Sequence, residues 1–553
     1  MKVFQPKITT ALKGYTKGQA ITDIVAGIIV AIIALPLSIA LAIASGVGPE
    51  QGLYTAIVAG FIIACMGGSR VNISGPTAAF ATIVAGIVAA HGMSGLALAT
   101  IMAGILLILM GVFRFGTLIK YIPYTITTGF TAGIAVTIAI GQVKDFLGLS
   151  YPDGTANIET IDKAKNVFCN IDTINYRALL VGLLALAIQI VWPKISKKIP
   201  GSLIAVLVGA LLVKLTGMKV NTIGDLYTIS RDLPRFTKPA VSFALIKELI
   251  PSAFTIAILA GIESLLSCVV SDGMIGSHHN SNTELIAQGT GNIASALFGG
   301  IPATGAIART AANVKNGGRT PISGIVHSVT LLLILVVLMP YAALIPMPVI
   351  AAILFMVAYN MSEWRHFRDI CKTAPKSDIL VLFVTFVLTV AFDLVVAIEV
   401  GMVLAAFLFL KRMSDVTEVR NWTYVAEDEQ QSADELHGLK AVPKGVSVYE
   451  INGPMFFAVA DKFADIPLRD KDKVVILRMR NVPAMDTTAM RNLTNLYNAL
   501  HRKDIVLLLS HVNEQPLRVM KKSGFDSLVG TENFLPNIDA ALEKAAELVK
   551  PLP

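Results

Sequence analysis

The sequence predicts a polytopic α-helical membrane protein of about fourteen spans, set out as seven plus seven inverted repeats with two half-helices, followed by a C-terminal α/β domain. Three observations predict it. The 553 residues are 54% hydrophobic and only 15% charged, with mean hydropathy +0.67, more apolar than a soluble core of this size needs. Two apolar stretches, residues 72–80 (Asn-Ile-Ser-Gly-Pro-Thr-Ala-Ala-Phe) and 300–313 (Gly-Ile-Pro-Ala-Thr-Gly-Ala-Ile-Ala-Arg-Thr-Ala-Ala-Asn), are broken by Gly and Pro at corresponding places in two halves. After Lys411 the composition turns polar and acidic, then alternates short strands with helices.

Apolar segments fall near 21–45, 51–66, 75–90, 94–112, 117–142, 177–192 and 200–215, then 249–271, 284–298, 304–315, 320–338, 341–359, 378–395 and 397–410. The first follows Lys2, Lys7, Lys13 and Lys17 and runs to Ser45, spanning length and too long for a signal-peptide core. With the amino terminus inside, the inward turns hold Arg70, Arg114, Lys120, Lys194, Lys197, Lys198, Lys315, Arg319, Arg365, Arg368, Lys372, Lys376, Lys411 and Arg412. The short outward turns at 91–94, 299–303 and 393–399 carry no Lys or Arg, so the alternation obeys the positive-inside rule. An even count puts both termini in the cytoplasm, and the cell membrane, the inner one in a bacterium, is the expected location. The net charge of +8 is read as these inward turns, not as a nucleic-acid surface. An odd number of spans per half forces the halves to be inverted, each with its third span broken.

Two outward loops, roughly 143–176 and 216–248, read as ordered caps or short strands. The expected domains are a cytoplasmic segment 1–20, a transport domain 21–411, a linker 412–443 and an α/β domain 444–553. In the last, Val446–Ile451, Val474–Met479 and Ile505–Leu509 read as strands, and Asp461–Asp465, Thr487–Leu500, Gln515–Ser523 and Asn537–Val549 as helices. No phosphate-binding glycine loop, C-x-x-C pair or metal-ligand cluster occurs among the residues, Cys65, Cys169, Cys268 and Cys371 included, so no cofactor or metal is expected and an enzyme is disfavoured.

A helix broken inside a bilayer survives only where its freed backbone groups meet protein or line a cavity, and paired breaks point to a transporter's binding site. Helix starts offer N–H groups to an anion. Thr77 and Ala78 follow Pro76 at one start; Thr304, Gly305, Ala306, Ala308 and Arg309 surround the other, where Arg309 adds a full charge. Leu37, Ser38 and Leu41, beside Pro36 in the first span, are candidates for the same cavity. Glu263, in the middle of the eighth span, is an expensive acid. Burial favours its neutral form and a nearby cation its charged one, a tension suited to taking and releasing a proton. Ser267, at i+4, shares its face; the two could instead ligate Na⁺ with backbone carbonyls. His278 and His279 lack a third ligand, Asp393 and Glu399 bracket an outer turn, and Asp23 reads as a cap for its own helix.

Together these motifs resemble the SulP family of anion transporters, which includes prestin among its animal members. The matching residues are Asp23-Ile-Val-Ala-Gly-Ile, Pro49-Glu-Gln-Gly-Leu-Tyr, Gly67-Gly-Ser-Arg, Ser74-Gly-Pro, Ile262-Glu-Ser-Leu-Leu, Gly299-Gly-Ile-Pro, Arg309, Asn313 and Gly317-Gly-Arg-Thr, spread over essentially the whole chain. Among bacterial members the likeness is greatest to C4-dicarboxylate carriers. The resemblance implies a core and a gate domain, a substrate between the half-helices, an elevator movement of the core, and homodimers. It implies that Glu263 is the coupling acid and Arg309 the basic residue of the anion site. Sodium-driven bicarbonate carriers of the family tend to have Asp at the first position and to lack the Arg, so the departure here favours a proton over Na⁺. It also identifies the terminal domain as a STAS domain, with Asp486, Thr487 and Thr488 at its signature turn. There a threonine is phosphorylated in some stand-alone relatives and a regulatory protein could dock; the plainer reading is that Asp486 caps the next helix.

The function expected is proton-coupled transport of a small anion (C4-dicarboxylate, sulfate or bicarbonate), with membrane lipid and a second copy of the chain as partners. The alternatives are an uncoupled anion channel or exchanger, a nucleobase–proton symporter of the same fold, which needs neither STAS domain nor Arg309, and a STAS-based membrane signalling protein.

Overall fold

The computed structural model describes residues 4–117, 123–152, 159–196, 200–227, 232–392, 394–421, 442–457 and 471–550. Lys120, Lys197, Lys198, Asp393 and the expected helix Asp461–Asp465 lie outside them. The chain divides into two compact units, Met1–Met402 and Val403–Pro553.

In the first unit a short α1 (Ile8–Ala11) precedes α2 (Lys17–Ala44), α3 (Pro49–Met66), β1 (Ser74–Gly75) and α4 (Ala81–Val112). Then come α5 (Tyr124–Leu147), α6 (Thr160–Cys169), α7 (Tyr176–Ile195), α8 (Gly201–Thr216) and α9 (Ile223–Leu226). The second half holds α10 (Phe243–Ile275), α11 (Ser281–Leu297), β2 (Thr304–Gly305), α12 (Ile307–Lys315), α13 (Pro321–Ala342), α14 (Met347–Ser362), α15 (Trp364–Thr373), α16 (Lys376–Ala391) and the start of α17 (Leu394–Val416), whose residues from Val403 on belong to the second unit.

Every apolar segment read from the sequence has its helix. α4 serves as two, because Gly92 (φ 65°, ψ −171°) breaks it between residues 91 and 93; a positive φ is cheap only for glycine. Eight helices among the described residues are long and apolar enough to cross a membrane on length and composition alone. α11 (17 residues) and α12 (9 residues) are too short, and they carry Gln288, Asn292, Arg309 and Asn313, all buried against protein. Exposed Leu180, Leu183, Leu333 and Val337 supply the apolar outer face that a bilayer requires.

Some boundaries move for local reasons. α5 begins after Pro123, which cannot continue a helix backwards, and closes on the left-handed Gly148 (φ 63°). α10 starts well inside the stretch read as outer loop. Ser242 caps it, accepting from Leu245 N at 3.2 Å; Lys247, Glu248 and Pro251 had disguised the apolar pattern. Among the described residues the two outer loops hold the helices α6 and α9, and a single bridge, Thr222 to Pro346, in place of strands.

The helices pack in two groups. α11 lies on α3 and α4, α10 on α4 and α12, and α13 on α2 and α3. Separately, α14 and α16 pack on α5, and α7 on α8 and α14. The α4–α11 seam is built of glycines: a Cβ on Gly104 would stand 2.6 Å from Gly289 O, and one on Gly289 2.4 Å from Gly104 O. With no hydrophobic drive between helices in lipid, such close backbone approach supplies the packing energy. α15 is amphipathic and basic, and its Trp364 ring lies under Arg368 (5.4 Å) and Arg365 (5.6 Å), suiting an interfacial helix.

The second unit carries one five-stranded sheet, β3 (Glu418–Asn421), β4 (Val446–Asn452), β5 (Val474–Asn481), β6 (Val506–Ser510) and β7 (Phe534–Leu535), in that order. β4 to β7 are parallel and β3 joins as an antiparallel edge. β3 comes from within the stretch read as a linker; its polar sequence hid a solvent-facing edge strand. The helices are α18 (Thr487–His501), α19 (Glu514–Lys522), α20 (Phe525–Val529) and α21 (Ile538–Val549). Leu493, Leu500, Met520 and Phe525 bury one sheet face; Ala541, Leu542 and Ala545 bury the other. Cover on both faces is why β5 opens on the unbroken apolar run Val474–Leu477 and why even Ser447 and Glu450 of β4 are buried. All four cysteines are free.

Candidate functional site

The two broken segments meet. Ser74 pairs with Gly305 and Gly75 with Thr304, antiparallel, and Ala306 N extends the ribbon to Ile73 O at 2.9 Å. Each strand runs straight into a helix, through Thr77 and the 3₁₀ turn Ala78–Phe80 into α4, and through Ala306 into α12. Antiparallel strands send the helices off opposite ends, so both N-termini turn toward the ribbon. First-turn N–H groups have no acceptor within a helix, and the two positive dipole ends add. Two glycines leave room for the polar groups beside the ribbon: a Cβ on Gly75 would lie 2.5 Å from Arg309 Nη1 and displace the guanidinium, and one on Gly305 would lie 2.6 Å from Asn72 Nδ2.

The expected residues are distributed around this crossing. Arg309 is 1% exposed; its Nη2 donates to Pro76 O at 3.0 Å, tying one broken segment to the other. Its Nε and Nη1, also buried, have no hydrogen-bond partner. A guanidinium that snorkelled to water would be neither buried nor bound to a mid-span carbonyl. Thr77 Oγ1 donates to Glu263 Oε2 at 3.0 Å, so the carboxylate stands at the start of the first half-helix. Thr304 is held by Ser264 Oγ at 2.7 Å and donates to Ala260 O at 3.0 Å, while Gly305 N donates to Ser264 Oγ at 2.9 Å. Ala78 is buried, Ala306 half-buried and Ala308 exposed. Ser267 is directed elsewhere: its hydroxyl contacts Asn72 Oδ1 (2.8 Å) and Thr310 Oγ1 (3.1 Å), and Glu263 has a different partner. Ser38 and Leu41 are buried in α2, with Ser38 Oγ unpartnered, and Leu37 is half-buried.

Sequence reading missed the residue that holds the ribbon. Glu284 is 0% exposed and accepts from Gly68 N (2.8 Å), Ser69 N (3.2 Å), Asn72 Nδ2 (2.8 Å) and Gln288 Nε2 (3.0 Å). Gln288 passes the order on to Ser74 Oγ at 2.9 Å, and Asn292 brackets Ala303, donating to its O and accepting from its N at 2.8 Å each. The signal was an acid followed at i+4 and i+8 by Gln and Asn on one face of a short apolar helix. Glu284→Ala leaves four buried donors without their acceptor. We expect it to destabilise the first unit by at least ~3 kcal/mol, a drop of about 5 °C or more in thermal unfolding in detergent. An unchanged transition would refute this role.

Asp23 does not cap its own helix; it holds the segment that leads into another. The N-cap of α2 is Thr16, which accepts from Gln19 N at 3.3 Å. Asp23 is buried and accepts from Arg319 N (2.7 Å), Thr320 N (3.3 Å), Thr320 Oγ1 (2.6 Å) and Tyr15 OH (3.0 Å), organising the entry to α13. Pairing across nearly three hundred residues is invisible to local spacing. Asp272 accepts from His279 N at 2.7 Å and its Oδ2 lies 2.7 Å from His279 Nδ1, so this histidine is occupied within its own turn. Glu399 is exposed. In the second unit Asp486 caps α18, accepting from Ala489 N at 2.8 Å and Phe457 N at 2.9 Å; Thr487 and Thr488 are exposed beside it.

Comparison with known proteins gives the following. The family model described as Sulfate permease family matches residues 21–385, and that of the STAS domain matches residues 439–545. YvdB of Bacillus subtilis strain 168, a proposed sulfate transporter, is 40% identical over 95% of this chain and 98% of its own. The bicarbonate transporter BicA of Picosynechococcus is 31% identical over 95% and 94% respectively. The inward-facing murine anion transporter Slc26a9 superposes with a TM-score of 0.88 over 98% of this chain and 94% of its own at 18% identity, a likeness of fold.

Proposed function

The chain belongs to the sulfate permease family, and on that premise we propose that it carries a small anion across the membrane by secondary active transport coupled to protons. It is a multi-pass membrane transporter with a C-terminal STAS domain. The observation that carries the reading is Arg309: a fully buried guanidinium between two helix starts, with two N–H groups that no protein atom satisfies. Buried donors of that kind call for an acceptor, and a permanent charge there calls for an anion. Sulfate, bicarbonate and C4-dicarboxylate each present planar or tetrahedral oxygens to such donors.

Glu263 is the coupling group in this reading. It shares a hydrogen bond with Thr77, so gaining or losing a proton changes the same helix start that faces the anion. The core helices α2–α4 and α10–α13 would move against α5, α7, α8, α14, α16 and α17 as an elevator, with the termini in the cytoplasm and a second copy of the chain completing a dimer. The STAS domain would dock a regulator at Asp486, Thr487 and Thr488.

The test is uptake of labelled sulfate, bicarbonate and succinate into proteoliposomes of the full chain, with and without an inward proton gradient. One anion accumulating only with the gradient is the expected result. Downhill flux indifferent to the gradient would replace the symporter by a channel or exchanger. Flux of none of the three would overturn the anion reading in favour of a nucleobase or a signalling role.

A further inference from the structure

Four buried nitrogen atoms stand without partners in one region of the first unit. Two are Nε and Nη1 of Arg309 on α12; the others are Nδ1 and Nε2 of His327 on α13, a residue 1% exposed. Several contacts bring α12, α13 and β1 to one place. Asn313 Nδ2 donates to Ser323 Oγ at 2.9 Å, and one turn from that bond along each helix stand Arg309 and His327. α13 also runs along β1: a Cβ on Gly324 would meet Asn72 O, and one on Gly60 would meet both Ser328 Oγ and Ser74 O. The next residues of that segment, Gly75 and Pro76, are where the guanidinium sits.

This inference rests on the anion-carrier reading and deepens it. We propose that His327 is a specificity-determining residue of the anion site, selecting an oxyanion that carries a hydroxyl group. Arg309 offers two donors. A neutral imidazole offers one donor and one acceptor. A fully deprotonated oxyanion or a halide satisfies every donor and leaves the imidazole acceptor empty. A hydrogen-oxyanion such as bicarbonate satisfies both, its charged oxygen taking the Arg309 N–H groups and its O–H donating to the ring. Sites built to pair a substrate hydroxyl discriminate strongly against analogues that lack it, because a buried polar group is then left unpaired.

The experiment compares bicarbonate, sulfate and chloride uptake by proteoliposomes of the full chain at one pH near neutrality, in wild type, His327→Gln, His327→Leu and His327→Met. The glutamine retains one donor and one acceptor; leucine and methionine retain neither, and methionine serves if the leucine protein is not monodisperse. We expect wild type to favour bicarbonate. His327→Leu should cut the bicarbonate-to-sulfate ratio of kcat/KM about tenfold or more, through the KM for bicarbonate, with His327→Gln within about threefold of wild type. A wild-type preference for sulfate, an unchanged ratio in His327→Leu, or an equal loss for all three anions overturns the assignment while leaving the carrier reading intact. Wild type that moves none of the three overturns both.

Discussion

Arg309→Leu is expected to abolish anion transport while leaving the protein folded, and at least as stable as wild type. Loss of a buried, charged donor that a ligand uses costs about 2–5 kcal/mol, which is roughly 30-fold to several thousand-fold in affinity. Stability should move the other way. Arg309 is buried with one hydrogen bond, to Pro76 O, and two nitrogens, Nε and Nη1, unpartnered, so in the absence of anion its desolvation is poorly offset. An apolar residue of similar bulk removes that penalty and strands only one carbonyl. Arg309→Lys keeps the charge, but a point ammonium cannot hold Pro76 O and also present a fork to the anion. It should retain partial transport with raised KM. The decisive comparison is anion-dependent thermal stabilisation. Wild type should gain several degrees with saturating anion, and Arg309→Leu none. A leucine variant that unfolds would make Arg309 a structural tie between the half-helices, and one that still responds to anion would remove it from the site.

How far all this could be read beforehand depends on the range of the interaction. The spans were legible because a bilayer demands long apolar runs, and the broken third spans were legible because Gly and Pro interrupt such runs locally. The parallel strands β5 and β6 were legible as short apolar runs because both faces of their sheet are buried, and β4 was legible from its β-branched and aromatic residues. Partners were not. Pro76 O and Arg309 are 233 residues apart, and Glu284 holds Gly68, Ser69 and Asn72 from more than 200 residues away. Each looks ordinary in its own segment: Glu284 reads as a first-turn acid, Asp23 as a local cap, His327 as one of several polar residues, with Ser323, Ser328 and Thr330, in an apolar helix. Helical spacing put Ser267 beside Glu263, yet it could not foresee that Asn72 and Thr310 take the Ser267 hydroxyl. Spacing reports which face a side chain shares; an inverted fold, which brings the third and tenth spans together, decides what that face meets.

The second large effect is expected at Glu263. Glu263→Gln should keep the shape of the site, since the amide oxygen can still accept from Thr77 Oγ1, but it removes the proton exchange. In a symporter the two functions separate cleanly. A proton gradient of one pH unit stores about 1.4 kcal/mol per proton, enough for about tenfold accumulation of an anion carried with one proton. Wild type should reach that level; Glu263→Gln should stop at the level set without a gradient, losing all of the accumulation. Its counterflow exchange of anion for anion, which needs no net proton movement, should continue within about threefold of wild type. Glu263→Asp keeps the acid on a shorter stem and should slow coupled uptake without eliminating it. Thr77→Val tests the linkage from the other side: it takes away the hydroxyl that ties the carboxylate to the half-helix, so it should weaken anion binding and coupling together. If Glu263→Gln accumulates anion against the same gradient as wild type, Glu263 is not the proton carrier. If it loses exchange as fully as accumulation, the carboxylate serves the anion site or the fold, and coupling has to be sought in another group.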